Sequence, residues 1–163
     1  MDLTILFQPI HDESFHHALI STNCVVLRSN PQFAIEALKY KPIDTSESVN
    51  TMFLRGLEGF VAAIAPFNFT AIGGNLAGTP AMMGCSVLWK PSDTAMLSSW
   101  VVYKCLREAG VPAGVINFVP SDGPVFGKVT TSSPHLAGIN FTGSAATFKH
   151  IWREVGNNID NYR

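Results

Sequence analysis

The sequence predicts a doubly wound α/β fold built on a parallel sheet, and three observations carry that expectation. Two short apolar runs, Phe60 to Ala65 and Val87 to Trp89, lack the alternation of a strand with one wet face, so both read as strands covered on two sides. The stretch between them, Ala71 to Met83, is long enough for the crossover helix that parallel neighbours require. Strand and helix patterns then alternate as far as Ile159, the order expected of helices laid on both faces of one sheet. Ligands of such sheets bind beyond the carboxyl ends of the strands. Here those ends lead into Pro66-Phe67-Asn68-Phe69 and Lys90-Pro91-Ser92-Asp93.

Before the first strand the signals are weaker. Met1 to Asn30 has no clear period. Its group His11, Asp12, Glu13, His16 and His17 raises the question of a metal site, but histidines at i, i+5 do not share a helix face and the spacing matches no metal motif. A solvated polar segment is the expectation, and no metal is assigned. Cys24 to Leu27 reads as a short packed strand. Pro31 to Tyr40 has a helical period in Phe33, Ala34, Ile35, Ala37 and Leu38, with Pro31 as the starter and Pro42 beyond the end. Lys41 to Ser48 is turn-rich. Asn50 to Arg55 and Phe60 to Ala65 flank Gly56-Leu57-Glu58-Gly59, which reads as a hairpin because glycine tolerates positive φ.

After the second strand, Ser92-Asp93-Thr94 ahead of an apolar series from Ala95 to Leu106 predicts a capped helix ending at Ala109, with Gly110 as its stop. Apolar residues occupy most of its circumference, so it should be largely buried. Val115 to Val119 is a third strand, and Pro120 to Pro124 turns into a short helix. Gly138 to Phe141 is a fourth strand entering Thr142-Gly143-Ser144. From Ala145 to Ile159 a last helix carries Phe148, Ile151, Trp152, Val155 and Ile159 on one stripe.

Composition excludes several functions. With 11 basic and 12 acidic residues in 163, the chain has no electrostatic footprint for nucleic acid or an anionic membrane surface. No apolar run approaches a membrane span. Cys24, Cys85 and Cys105 are widely spaced and read as free thiols in a reducing compartment. There is no G-x-G-x-x-G to seat a pyrophosphate on the first helix.

The segments RGLEGFVAAIAPFNFTAIGGNL, VLWKPSDTAMLS, VPSDGPVFG and INFTGSAATFKH, in that order, resemble the aldehyde dehydrogenase superfamily over about Gln32 to Arg163. More narrowly they resemble its branch that oxidises L-glutamate gamma-semialdehyde to glutamate in proline breakdown. Phe67 stands where most of the superfamily has Trp. The resemblance implies a partial Rossmann-like NAD-binding domain over 50–163, preceded by an N-terminal segment, 1–49, with a helix near 31–40. It also implies an aldehyde substrate, a homo-oligomer or pairing with a full-length subunit, and a mitochondrial-matrix location. The amino terminus lacks the Arg-rich, acid-poor character of a transit peptide, which leaves a cytoplasmic location open.

Carried over residue by residue, the resemblance gives Asn68 as donor to the oxyanion that forms on the aldehyde, a task a neutral amide performs without moving a proton. Read from its turn alone, Asn68 would instead bond its own backbone. Pro66 and Phe67 frame that turn against NAD. Lys90 and Ser92 would hold the adenosine ribose, with Asp93 as a further acceptor or a mere helix cap. Gly123 and Gly127 would flank the adenine, and Gly143 and Ser144 would meet the pyrophosphate at a helix start, where unsatisfied N–H groups favour an anion. Ser144 is an N-cap on either reading. In the matching proteins the nucleophilic Cys and the Glu that activates water lie beyond the positions this chain covers, so the chain alone is expected to be inactive. An inactive nucleotide-binding or subunit-pairing module is the alternative.

Overall fold

The computed structural model describes residue 25 and residues 27–163. A helix over 27–37 (α1) is followed by irregular chain to residue 59. Then come β1 (Phe60–Ile64), α2 (Thr70–Met82), β2 (Ser86–Lys90), a 3-10 turn (Asp93–Ala95) and α3 (Met96–Glu108). The remainder is β3 (Ile116–Phe118), α4 (Gly123–Thr131), β4 (Leu136–Phe141), α5 (Ala145–Asn157) and a closing 3-10 turn (Ile159–Asn161). The strands form one sheet in the order β3-β2-β1-β4. All neighbours are parallel, with Ala63 opposite both Trp89 and Asn140. The doubly wound α/β sheet read from the sequence is therefore the fold.

Alternation along β1 and β2 divides the core. Ala63, Val87 and Trp89 point to one face, where Leu76 and Ala77 of α2 and, at the margin, Val102 and Tyr103 of α3 cover them. Ala62 points to the other face with Phe126 of α4 and Leu136, joined by partly buried Leu88, Val155 and Tyr162. Trp89 is the largest side chain sealed from solvent, at 0 % exposure. Burying about 200 Å² of indole at about 25 cal/mol per Å² contributes roughly 5 kcal/mol before entropy is counted.

α2 is made mostly of small residues, so its backbone lies close on the sheet, and it carries Pro80 inside. Proline has no N–H to give the carbonyl one turn back. That carbonyl, Leu76 O, instead accepts from Asn140 Nδ2 of β4 at 3.0 Å, so the sheet repairs the helix. α4 and α5 begin on side-chain caps. Asp122 accepts from Val125 N at 3.2 Å and Ser144 from Thr147 N at 3.1 Å. α3 stops at Gly110, whose φ of +100° matches the expected glycine terminator.

Five expectations are corrected. The segment 50–55 forms no strand, so there is no hairpin: both edges of β1 are taken, by β2 and β4. Gly59 does adopt positive φ, and glycine is required there a second time by the His135 carbonyl, which a Cβ would strike. Pro31 lies inside α1 rather than at its start. Val25 and Leu27 are helical rather than part of a strand, and Cys24 and the His11 to His17 group fall outside the described residues. Ser92 and Thr94 do not cap α3, because their hydroxyls meet each other at 3.3 Å and a 3-10 turn intervenes. Finally, α3 buries only Ser99 fully, leaving Leu97 exposed and Trp100 partly so even though its ring meets Phe118 of β3 at 5.4 Å, since the three-residue edge strand covers little of the helix.

Candidate functional site

Because all four strands are parallel, their carboxyl ends share one rim. Backbone hydrogen bonds tie the turns there to neighbouring strands. Ala65 N donates to Lys90 O at 3.2 Å, Val119 N to Trp89 O at 2.8 Å, and Thr142 N to Ile64 O at 3.2 Å. Strand order then fixes the sequence of groups across the rim. The turn before Gly123 comes first, then Lys90 to Asp93, then Pro66 to Asn68, and last Gly143 and Ser144. The two turns singled out from the sequence are neighbours on one edge, joined through the pair Ile64 and Lys90.

Lys90 is the best-defined group. Only 7 % of it is exposed, and an ammonium that far from water needs partners. Its Nζ donates to Pro91 O at 2.9 Å and to Asp93 Oδ1 at 3.3 Å. An ammonium has three donors, so a further oxygen can be taken up beside Asp93. The Lys90 stem passes Gly123, where an added Cβ would stand 3.9 Å from Cε. Lys90 thus lies on the face that α4 and α5 cover, between the end of β2 and the start of α4.

The Asn68 turn is open by contrast. Phe67 is 71 % exposed and Asn68 is exposed too. The Asn68 side chain makes no hydrogen bond among the described residues, so it does not bond its own turn and its amide is free to donate outward.

At the far end of the rim the Ser144 hydroxyl is exposed, capping α5 and meeting Thr147 Oγ1 at 2.9 Å. Gly143 has a reason internal to the chain. A Cβ there would stand 2.6 Å from the Phe141 ring, so the glycine makes room for Phe141. Gly127 has open space within 4 Å, as room for a ligand beside α4 would need. Every expected site residue except Gly127, which sits one turn into α4, lies at this rim.

The sequence left some rim residues unremarked. Ser121, in the turn after β3, has a buried hydroxyl without a partner among the described residues, and no local pattern marks it. Asp122 was legible as a cap from the run Asp-Gly-Pro before a helix. Trp89 and Gly73, below the rim, form a contact that only the fold reveals.

Among the described residues the rim holds no thiol. Cys85 is buried just ahead of β2, at the opposite end of that strand from Lys90, and Cys105 lies on α3. Among the described residues no group of three or more His, Cys, Asp or Glu is placed to hold a metal ion, and no helix is long and apolar enough to cross a membrane. A groove of about 530 Å³ lies elsewhere, along β4 beneath α5, lined by residues such as Leu136, Ile139, Phe148 and Trp152. It is mainly apolar, with the Glu58–Arg163 ion pair among its lining, and has none of the rim's donors.

Residues 20–162 match the model of the aldehyde dehydrogenase family. Over 136 residues the chain is 65 % identical to a mitochondrial delta-1-pyrroline-5-carboxylate dehydrogenase of Danio rerio, covering 83 % of this chain and 24 % of that protein. The corresponding Homo sapiens protein is 62 % identical over 135 residues, with the same coverage of each. Among solved structures, the delta-pyrroline-5-carboxylate dehydrogenase of Mycobacterium tuberculosis bound with NAD superposes with a TM-score of 0.84 at 46 % identity, over 87 % of this chain and 26 % of that one. The chain spans about a quarter of the length of these relatives.

Proposed function

Because the chain belongs to the aldehyde dehydrogenase family, we propose that its rim is the cofactor half of a site for NAD-dependent oxidation of L-glutamate gamma-semialdehyde to glutamate, a step of proline breakdown in the mitochondrial matrix. One observation carries the reading: the buried Lys90, the outward-facing Asn68 and the capped start of α5 lie in order along one sheet edge. Two of the relatives described above are named mitochondrial, and a third was solved with NAD, which supports the location and the cofactor.

The residues fit the cofactor chemically. Lys90 donates to a ribose hydroxyl, with Asp93 and Ser92 as acceptors for the same diol. Ser144 and the first N–H groups of α5 face the pyrophosphate, where the helix dipole favours negative charge. Gly123 and Gly127 leave the adenine its space, and Pro66 and Phe67 frame the opposite end. When bound, NAD supplies the acceptor for the hydride that leaves the aldehyde carbon. Asn68 holds the aldehyde oxygen as it gains charge, an interaction strongest in the transition state. Since no described residue of the rim is a thiol, turnover requires a nucleophile and a general base from outside these residues, and the chain alone should release no NADH.

Calorimetric titration with NAD tests the reading. Losing a charge-assisted hydrogen bond of about 1.5–3 kcal/mol should weaken binding roughly tenfold or more in Lys90→Ala. Binding of a flavin in place of NAD, or equal NAD affinity in the variant, would overturn it. A second reading, a module that acts by pairing with another subunit, is favoured by the exposed stripe on α5 beside the open edge of β4. Sedimentation separates the two, since a pairing module associates whether or not NAD is present.

A further inference from the structure

Trp89 has its backbone in β2, next to Lys90, and its ring under the first turn of α2. An added Cβ on Gly73 would stand 3.1 Å from Trp89 Cζ2, 3.6 Å from Cε2 and 3.4 Å from the Ala65 Cβ. The ring cannot retreat, because it is fully buried and Phe118 meets it edge to face at 5.3 Å. The first turn of α2 therefore rests on the indole, and glycine at 73 is what allows it to sit so low.

The segment between Ala65 and Thr70 is held at its two ends. At one end Ala65 N bonds Lys90 O, and at the other Ile72 N bonds Phe69 O in the first turn of α2, whose N-cap has no side-chain hydrogen bond. Asn68 stands exposed between them. Its height above the rim is thus set by how closely α2 approaches the sheet. We propose that Trp89, wedged under Gly73, is the positioning residue for the Asn68 turn. The inference deepens the reading of Asn68 as oxyanion donor and rests on it for its catalytic meaning, though the wedge itself is testable without nucleotide.

Gly73 does not have positive φ, so alanine is acceptable to its backbone and, in open space, would firm the helix. That makes the sign of the substitution diagnostic. Amide exchange of the full chain should be compared in wild type, Gly73→Ala, Trp89→Phe and the double variant. Gly73→Ala should speed exchange over 66–72 by roughly tenfold while leaving 136–141 unchanged, and should move the Asn68 side-chain amide resonance. The double variant should return both towards wild type, because the phenyl ring lacks the indole atoms nearest residue 73. Unchanged or slower exchange over 66–72 in Gly73→Ala sinks the proposal, as does a double variant that only sums the single effects. Should Gly73→Ala fail to fold, Trp89→Phe decides alone: faster exchange over 66–72 supports the wedge and unchanged exchange overturns it. If the wild type binds no NAD, the nucleotide reading fails while the exchange data still settle the wedge.

Discussion

On the α2–α3 face of the sheet, Ala63, Val87 and Trp89 are sealed from water, whereas on the α4–α5 face the helix α5 buries no residue completely. The cause lies in the covering helices. α2 sets Gly73, Leu76 and Ala77 against the strands, so its first turn settles close on them, while Gly78 faces Leu27 of α1. α5 presents long side chains, of which Val155 reaches the sheet while Phe148 and Trp152 pair with each other at 5.7 Å at the wall of the groove and stay exposed. The closed face lies under the Asn68 turn, and the open face carries Lys90 and Gly123, with Ser144 at the start of α5. A closely packed face on one side and a less covered face on the other is the arrangement that the proposed half-site would need.

The same substitution on the two faces tests that contrast most sharply. Trp89→Ala removes a sealed indole and should cost about 3–5 kcal/mol, a large share of the roughly 5–15 kcal/mol by which a domain is usually stable. Urea titration should find the variant unfolded or close to it. Trp152→Ala, at a site 69 % exposed, should cost less than about 1 kcal/mol and should reduce self-association, since an exposed apolar stripe invites it. Size-exclusion chromatography across a range of concentrations reads the second effect. Equal destabilisation by the two changes would erase the distinction between the faces.

The legible parts of the chain were those where burial leaves a local trace. β1 and β2 are short apolar runs stopped by Pro66 and Pro91, and a parallel pair with its crossover follows from their spacing alone. Placing the two turns on one rim followed in turn. What was not legible depends on partners distant in sequence. The glycines at 56 and 59 carry a hairpin signal, but β4 occupies the edge that segment 50–55 would have needed. Ser92 and Thr94 look like caps until their hydroxyls find each other. Nor can Lys90 be seen from the sequence to turn back onto Pro91 O and Asp93 rather than into solvent. Gly143 looks like a cofactor glycine, and only the fold shows that the Phe141 ring already demands it.

The smallest expected effect lies where the chain closes the open face. Tyr162 packs beside Val155 and Ala62, and its hydroxyl donates to Thr131 O at 2.5 Å, joining the segment after α5 to the end of α4. Burial, and then the charge of Glu154, raise its pKa above the usual 10.0. Above that ordinary value the folded chain keeps a proton that the unfolded chain releases, so the folded state binds more protons and stability falls as pH rises through the raised pKa. Below it Tyr162 is protonated in both states and adds no pH dependence. Urea midpoints taken between about pH 9 and pH 11 should therefore drop more steeply for the wild type than for Tyr162→Phe. Since the phenylalanine also loses the hydrogen bond to Thr131, its midpoint at neutral pH should be the lower of the two, and the two curves should converge as the medium becomes alkaline. Parallel curves would mean that Tyr162 titrates as freely in the folded chain as in the unfolded one, and that the open face is looser at this end than its packing indicates.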